Sequence, residues 1–199
     1  MTSNTTTETK RQRGRKVAAI LAGGLVLGVG TMATLASWND SEFANATFSS
    51  GTFKLQGSTN GTLFADHATS PGAGLTFTAP FSNLQPGSVV YAPFAVQLTS
   101  DTTNDATVTV SATSTGTVTG LSYQLIRASA FGCDASTTGT NVVASSAVGT
   151  AAGAVTFDLT KTGATNTAYL CFKVTADTSM GQGQVGSGVW QFNAVSKAN

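Results

Sequence analysis

From Ser37 onward the apolar residues of this chain recur at every second position and nowhere keep a helical period. Val108 and Val110 alternate with Thr107 and Thr109, and Val155, Phe157 and Leu159 with Thr156, Asp158 and Thr160. Leu170, Phe172 and Val174 alternate with Tyr169, Cys171 and Lys173, and Trp190 and Phe192 with Gln191 and Asn193. A side-chain period of two puts one set of residues on each face of an extended chain. With β-branched and aromatic enrichment it marks half-buried strands. Pro71-Gly72, Pro86-Gly87, Gly116, Gly120, Gly139, Gly163 and the glycine-rich residues 181–188 punctuate the runs. The pattern predicts strands near residues 43–48, 51–56, 74–79, 89–99, 106–114, 119–127, 154–160, 167–176 and 185–195. Many short antiparallel strands joined by glycine-rich turns make an all-β fold, an antiparallel jelly roll or sandwich.

The first 36 residues obey different rules. A polar start is followed by Lys10, Arg11, Arg13, Arg15 and Lys16, then by an uncharged apolar run over residues 17–36. A basic region followed by an apolar one is a signal-peptide pattern. The run is long enough to span a bilayer, but Thr31, Thr34 and Ser37 make its end small and polar. Thr34-Leu35-Ala36 offers the small residues a signal peptidase reads, with Ala36 and Ser37 flanking the cut. Gly24 and Gly28 match a membrane-helix dimerisation motif, although glycines are common in signal peptides. Arg11 and Arg13 are separated by Gln12, so no twin-arginine pair is present, and no cysteine near the run offers a lipid attachment point. The expected organisation is a leader over 1–36 and a single β domain over 37–199. The product is expected outside the cell, in an extracellular matrix or at the cell surface, touching membrane only through the uncleaved leader.

The leader also hides the charge of the remainder. From Ser37 onward five basic residues stand against eight acidic ones, a net charge of −3 where the whole chain has +1. That balance speaks against nucleic acid, which needs a basic patch, and against anionic lipid. The outward strand positions are mainly Thr, Ser, Gln and Asn. Threonine is a good strand former, but edges so lightly charged are weakly guarded against pairing with other copies. Cys133 and Cys171 are the only cysteines. In an exported protein such a pair is most simply a disulfide, the alternatives being two free thiols or a redox pair, which is usually spaced C-x-x-C. With Leu170, Phe172 and Val174 facing the core, Cys171 faces outward, so a bridge to Cys133 would strap a loop across the outside of a sheet.

No catalytic constellation stands out. His67 is the single histidine, in Leu63-Phe64-Ala65-Asp66-His67-Ala68, with no Gly-x-Ser-x-Gly elbow to supply a nucleophile. One histidine cannot supply a two-histidine zinc site, and His-Glu-x-x-His is absent. The oxygen-rich stretch from Ser100 to Asp105 has two carboxylates and lacks EF-hand spacing, and a solvated turn explains it better. No glycine-rich phosphate loop follows a strand and opens a helix. The expectation is a protein that is not an enzyme and takes no cofactor and no metal.

Two motifs carry a resemblance. Trp38-Asn39-Asp40 followed by Ala46-Thr47-Phe48-Ser49-Ser50-Gly51-Thr52-Phe53-Lys54-Leu55 resembles the mature N-terminus of TasA and camelysin-type proteins of Gram-positive bacteria. Phe81-Ser82-Asn83-Leu84-Gln85-Pro86-Gly87-Ser88 resembles that family's Asn-Leu-x-Pro-Gly turn, and Gly188-Val189-Trp190-Gln191-Phe192-Asn193-Ala194 fits its closing strand more loosely. The resemblance covers the leader and residues 37–57 and 81–99. It implies a jelly roll, a leader cut by a SipW-type signal peptidase, and a secreted biofilm-matrix subunit. Such subunits polymerise head to tail as a homopolymer, each N-terminal segment adding as a strand to its neighbour. Here the donor strand would be residues 37–48, with Trp38, Phe43 and Phe48 as anchors. The cysteine pair departs from the family pattern, so its role is not carried over. A monomeric adhesin or polysaccharide-binding module is the alternative, and a camelysin-like metallopeptidase a weaker one, opposed by the missing zinc motif.

Overall fold

The computed structural model describes residues 13–21, 42–47, 49–150 and 155–198. The chain divides into two units, Met1–Phe48 and Ser49–Asn199. In the first, residues 13–21 form a helix with exposed side chains, and residues 42–47 are exposed and carry no regular structure. No helix among the described residues is long and apolar enough to cross a membrane. Most of the apolar run, the expected cleavage pair Ala36 and Ser37, and the anchors Trp38 and Phe48 lie outside the described residues.

In the second unit the alternating runs become strands in two antiparallel sheets. The strands are β1 (Leu55–Ser58), β2 (Val89–Leu98), β3 (Ala106–Gly116), β4 (Leu121–Ala128), β5 (Gly139–Ala147), β6 (Val155–Leu159), β7 (Thr167–Ala176) and β8 (Gly186–Ser196). One sheet has the order β1-β2-β7-β4-β5, the other β6-β3-β8. All but the β4–β5 hairpin and the β1–β2 pair are linked by chain that crosses between sheets, which binds the layers into one sandwich.

Register decides which side chains meet. Phe172 on β7 lies opposite Ala92 on β2 and Leu125 on β4, and Val174 lies opposite Val90 and Tyr123. One face of the larger sheet is therefore continuously apolar. It packs on Ala106, Val108, Val110 and Ala112 of β3 and on Phe157 and Leu159 of β6, all buried. The expected all-β sandwich is present, with eight strands among the described residues where about nine were expected.

The differences have physical causes. The pattern over 51–56 matures only into Leu55–Ser58, because Thr52 meets just an isolated parallel bridge to Thr102. Residues 42–47 and 74–79 form no strand; the second stretch alternates correctly, but its main-chain link to a strand is the single Thr78 N–H bond to the Tyr91 carbonyl. β5 went unpredicted. Its sequence, GTNVVASSA, buries only Val143 fully, as suits an edge strand.

Cys133 and Cys171 form a disulfide, with Cα atoms 5.0 Å apart. A disulfide of this kind fits an oxidising compartment. Cys171 sits on the face away from the core, opposite Pro93 and Ile126. It is nonetheless fully buried, because the loop carrying Cys133 covers it. Phe131 of that loop packs edge-on to Tyr169, ring centroids 6.2 Å apart. Ala95, opposite Tyr169, is sealed as well. Gly61, at φ +74°, presses its bare Cα on the Phe131 ring where no Cβ would fit. The Ser58 hydroxyl holds that turn by accepting the Gly61 N–H at 2.9 Å. The bridge is thus a strap outside the sandwich. Reduction is expected to lower the unfolding midpoint by about 8–16 °C, from roughly 4 kcal/mol of loop-closure entropy at about 2–4 °C per kcal/mol. The transition should stay cooperative, because the core does not involve the strap. A calorimetric trace under reductant that lost its cooperative peak would contradict this.

Candidate functional site: an open sheet edge beside an apolar groove

β8 pairs with β3 along the full length of both strands. Its other edge has no strand partner among the described residues. The smaller sheet therefore ends in an eleven-residue strand, alternate residues of which turn their main-chain donors and acceptors to the open side. Such an edge templates the addition of another strand.

Beside that edge the sandwich is not closed. A groove of about 740 Å³ runs between β8 and the connection from β1 to β2. Its floor and walls include Phe94, Val96, Phe172, Trp190 and Phe192. The aromatic rings are in mutual contact: Phe172 to Trp190 at 4.7 Å, Phe94 to Phe192 at 5.6 Å and Tyr123 to Trp190 at 5.5 Å between centroids. Trp190 and Phe192 are only half-buried where a further strand would cover them. The Trp190 indole nitrogen is buried, with the Tyr123 hydroxyl beside it. Gly57 keeps one end of the groove narrow, since the Phe94 ring lies 2.7 Å from where its Cβ would be.

The polar residues singled out in the sequence do not gather here. Asp66 pairs with Lys54 at 2.7 Å, and its hydrogen bond and charge raise the Lys54 pKa above 10.5. His67 is exposed at the groove rim. Asp105 accepts the Lys161 N–H at 2.8 Å, and the Asp101 carboxyl is held low by the Thr99 hydroxyl. Among the described residues no three metal-ligating side chains come together. Phe43 is 94% exposed.

Asp158 shows how surface charge contributes. The Lys197 ammonium, 2.7 Å away, and the Thr107 hydroxyl hold its carboxyl below 3.8. A depressed folded-state pKa gives stability that is complete above the unfolded value and fades as pH falls through the folded one. Both side chains are well exposed, so Asp158→Asn should cost no more than about 1 kcal/mol at neutral pH. That difference should shrink as the pH falls from the unfolded value through the lowered folded-state one, where wild type and variant become alike in charge at this position. Paired denaturant titrations at neutral pH and in acid check it. A larger cost, or one that persists in acid, would mean that packing and not charge is lost.

Sequence reasoning found Trp190 and Phe192 as inward positions but not as groove walls. Alternation reports a side chain's face, while an open edge depends on which strands fail to meet. Compared with known proteins, the chain matches no family model and no curated relative.

Proposed function

We propose that this chain is an exported structural subunit that assembles head to tail, a strand from one copy adding to the β8 edge of the next. The observation that carries the reading is the open β8 edge flanked by the aromatic groove. Strand addition draws affinity from main-chain hydrogen bonds and specificity from side-chain pockets, and here both are present at one place. A contact between two different surfaces does not close on itself and so extends into a filament. The donor we assign is residues 37–48, twelve residues against the eleven of β8. Its described part, residues 42–47, has no strand partner of its own. The leader keeps this segment tethered until a SipW-type peptidase cuts between Ala36 and Ser37.

Strand geometry refines the anchors. Successive side chains point to opposite faces, so Phe43 cannot share a face with Trp38 or Phe48 in one regular strand. From residue 44 onward the face bearing Ala44, Ala46 and Phe48 is apolar, Asp40 and Glu42 preceding it on the same side, while Asn45 and Thr47 follow Phe43 on the other. We assign Ala44, Ala46 and Phe48 to the groove and Phe43 to the outside. Negative-stain microscopy of protein beginning at Ser37 should show filaments. Phe48→Ser should reduce their yield at least tenfold, a loss of about 1.4 kcal/mol or more per contact, and Phe43→Ser should reduce it far less. A protein that stays monomeric at high concentration sinks the proposal, and the reverse ranking of the two variants sinks the register.

A further inference from the structure

The connection over residues 66–77 forms the wall of the groove facing β8. It is anchored at both ends. Ala65 and Gly57 exchange main-chain hydrogen bonds at 3.0 Å, and the Thr78 N–H donates to the Tyr91 carbonyl at 2.9 Å. Between these ties residues 66–77 make no main-chain hydrogen bond among the described residues. The Asp66–Lys54 ion pair is their polar link to the rest.

Within this wall residues 73–77 read Ala-Gly-Leu-Thr-Phe and keep strand alternation. Ala73, Leu75 and Phe77 are half-buried against the core, while Gly74 and Thr76 are exposed. The side chains are thus disposed as in a strand, but the backbone has no ladder. Strand order is ordinarily stabilised from both directions, by the packed face and by the paired edge. Here only the first is present. The opposite wall, β8, has the complementary lack: a regular strand with one vacant edge.

We infer that residues 73–77 are a latent strand, the second acceptor edge of the groove. A segment entering the groove would pair with β8 on one side and with residues 73–77 on the other. The three-stranded sheet would grow to five strands, and the incoming strand would lie inside it rather than at its rim. The occupant is residues 37–48 of a second copy, so the inference rests on the strand-addition reading. It adds that the wall is ordered by the incoming strand rather than pushed aside. Two ladders in place of one also make release slower, because both must open before the strand leaves.

Hydrogen exchange read by mass spectrometry tests it. Protein beginning at Ser37, kept at a concentration where size exclusion shows it monomeric, is compared before and after addition of excess synthetic peptide with the sequence of residues 37–48. The expected result is at least tenfold slower exchange at amides 73–77 together with slower exchange along β8. Slower exchange on β8 with unchanged or faster exchange at 73–77 overturns the latent strand and leaves strand addition standing. No protection on β8 overturns both. If the peptide protects β8 only at a protein concentration where copies already associate, size-exclusion profiles taken alongside show whether the occupant is the peptide or a neighbouring copy's own segment. In either case slowed exchange at 73–77 supports the inference, and its absence refutes it.

Discussion

Removing residues 37–48 is expected to abolish filament formation while leaving the thermal midpoint of the β domain within about 2 °C, less than about 1 kcal/mol of stability. The reason for the second half is packing. Among the described residues, every member of the core cluster and every side chain packed against it lies at or beyond Leu55. Residues 42–47 are exposed and belong to no sheet. The reason for the first half is that the open edge of β8 needs a strand, and residues 37–48 are the donor assigned to it. Light scattering and calorimetry on the truncated protein separate the two. If the deletion unfolds the domain, residues 37–48 are part of its own fold and not a donor. If filaments persist, another surface joins the copies.

That experiment turns on a feature half visible in the amino-acid order. Alternation of the kind seen at Val108 and Val110, at Leu170, Phe172 and Val174 and at Trp190 and Phe192, with the turn residues between runs, located β2, β3, β4, β6, β7 and β8 to within a few residues, because each has a buried face. β5 escaped because an edge strand of small polar residues around Val142 and Val143 has almost no buried face to announce it. Residues 74–79 misled for the opposite reason. Ala73, Leu75 and Phe77 do bury apolar surface, but pairing needs a neighbour that periodicity cannot report. The groove lies beyond local pattern altogether. It exists because β8, last in sequence, takes the outside place beside β3, and nothing described occupies the next position. Cys171 marks the middle ground. Its outward register followed from the alternation, but its full burial depended on the Cys133 loop folding down with Phe131 between Gly61 and Tyr169.

The second large effect is expected at Phe172. Phe172→Ala should destabilise the domain by about 3–5 kcal/mol, lowering the midpoint by roughly 6–20 °C at about 2–4 °C per kcal/mol. The ring is fully buried on β7, the middle strand of the larger sheet. It reaches across the sandwich to Trp190, 4.7 Å between centroids, and to Phe192 at 6.4 Å. Its loss removes transfer free energy and also leaves a void that rigid neighbouring strands cannot collapse into. The position is informative because Phe172 supports the groove from beneath, packed on the half-buried Trp190 and Phe192 rings. A void there joins the groove, so water enters and the wall formed by Trp190 loses its support from below. Phe172→Leu retains most of the volume and should recover over half of the lost stability, while still flattening the aromatic floor. Comparing the two variants therefore separates stability from assembly. If Phe172→Leu folds well and assembles poorly, the aromatic floor recognises the incoming strand. If it assembles as well as wild type, the β8 edge alone carries the affinity. A midpoint shift under about 3 °C for Phe172→Ala would mean that β8 already closes over the site without that ring, and that the open groove is not the resting state of the domain.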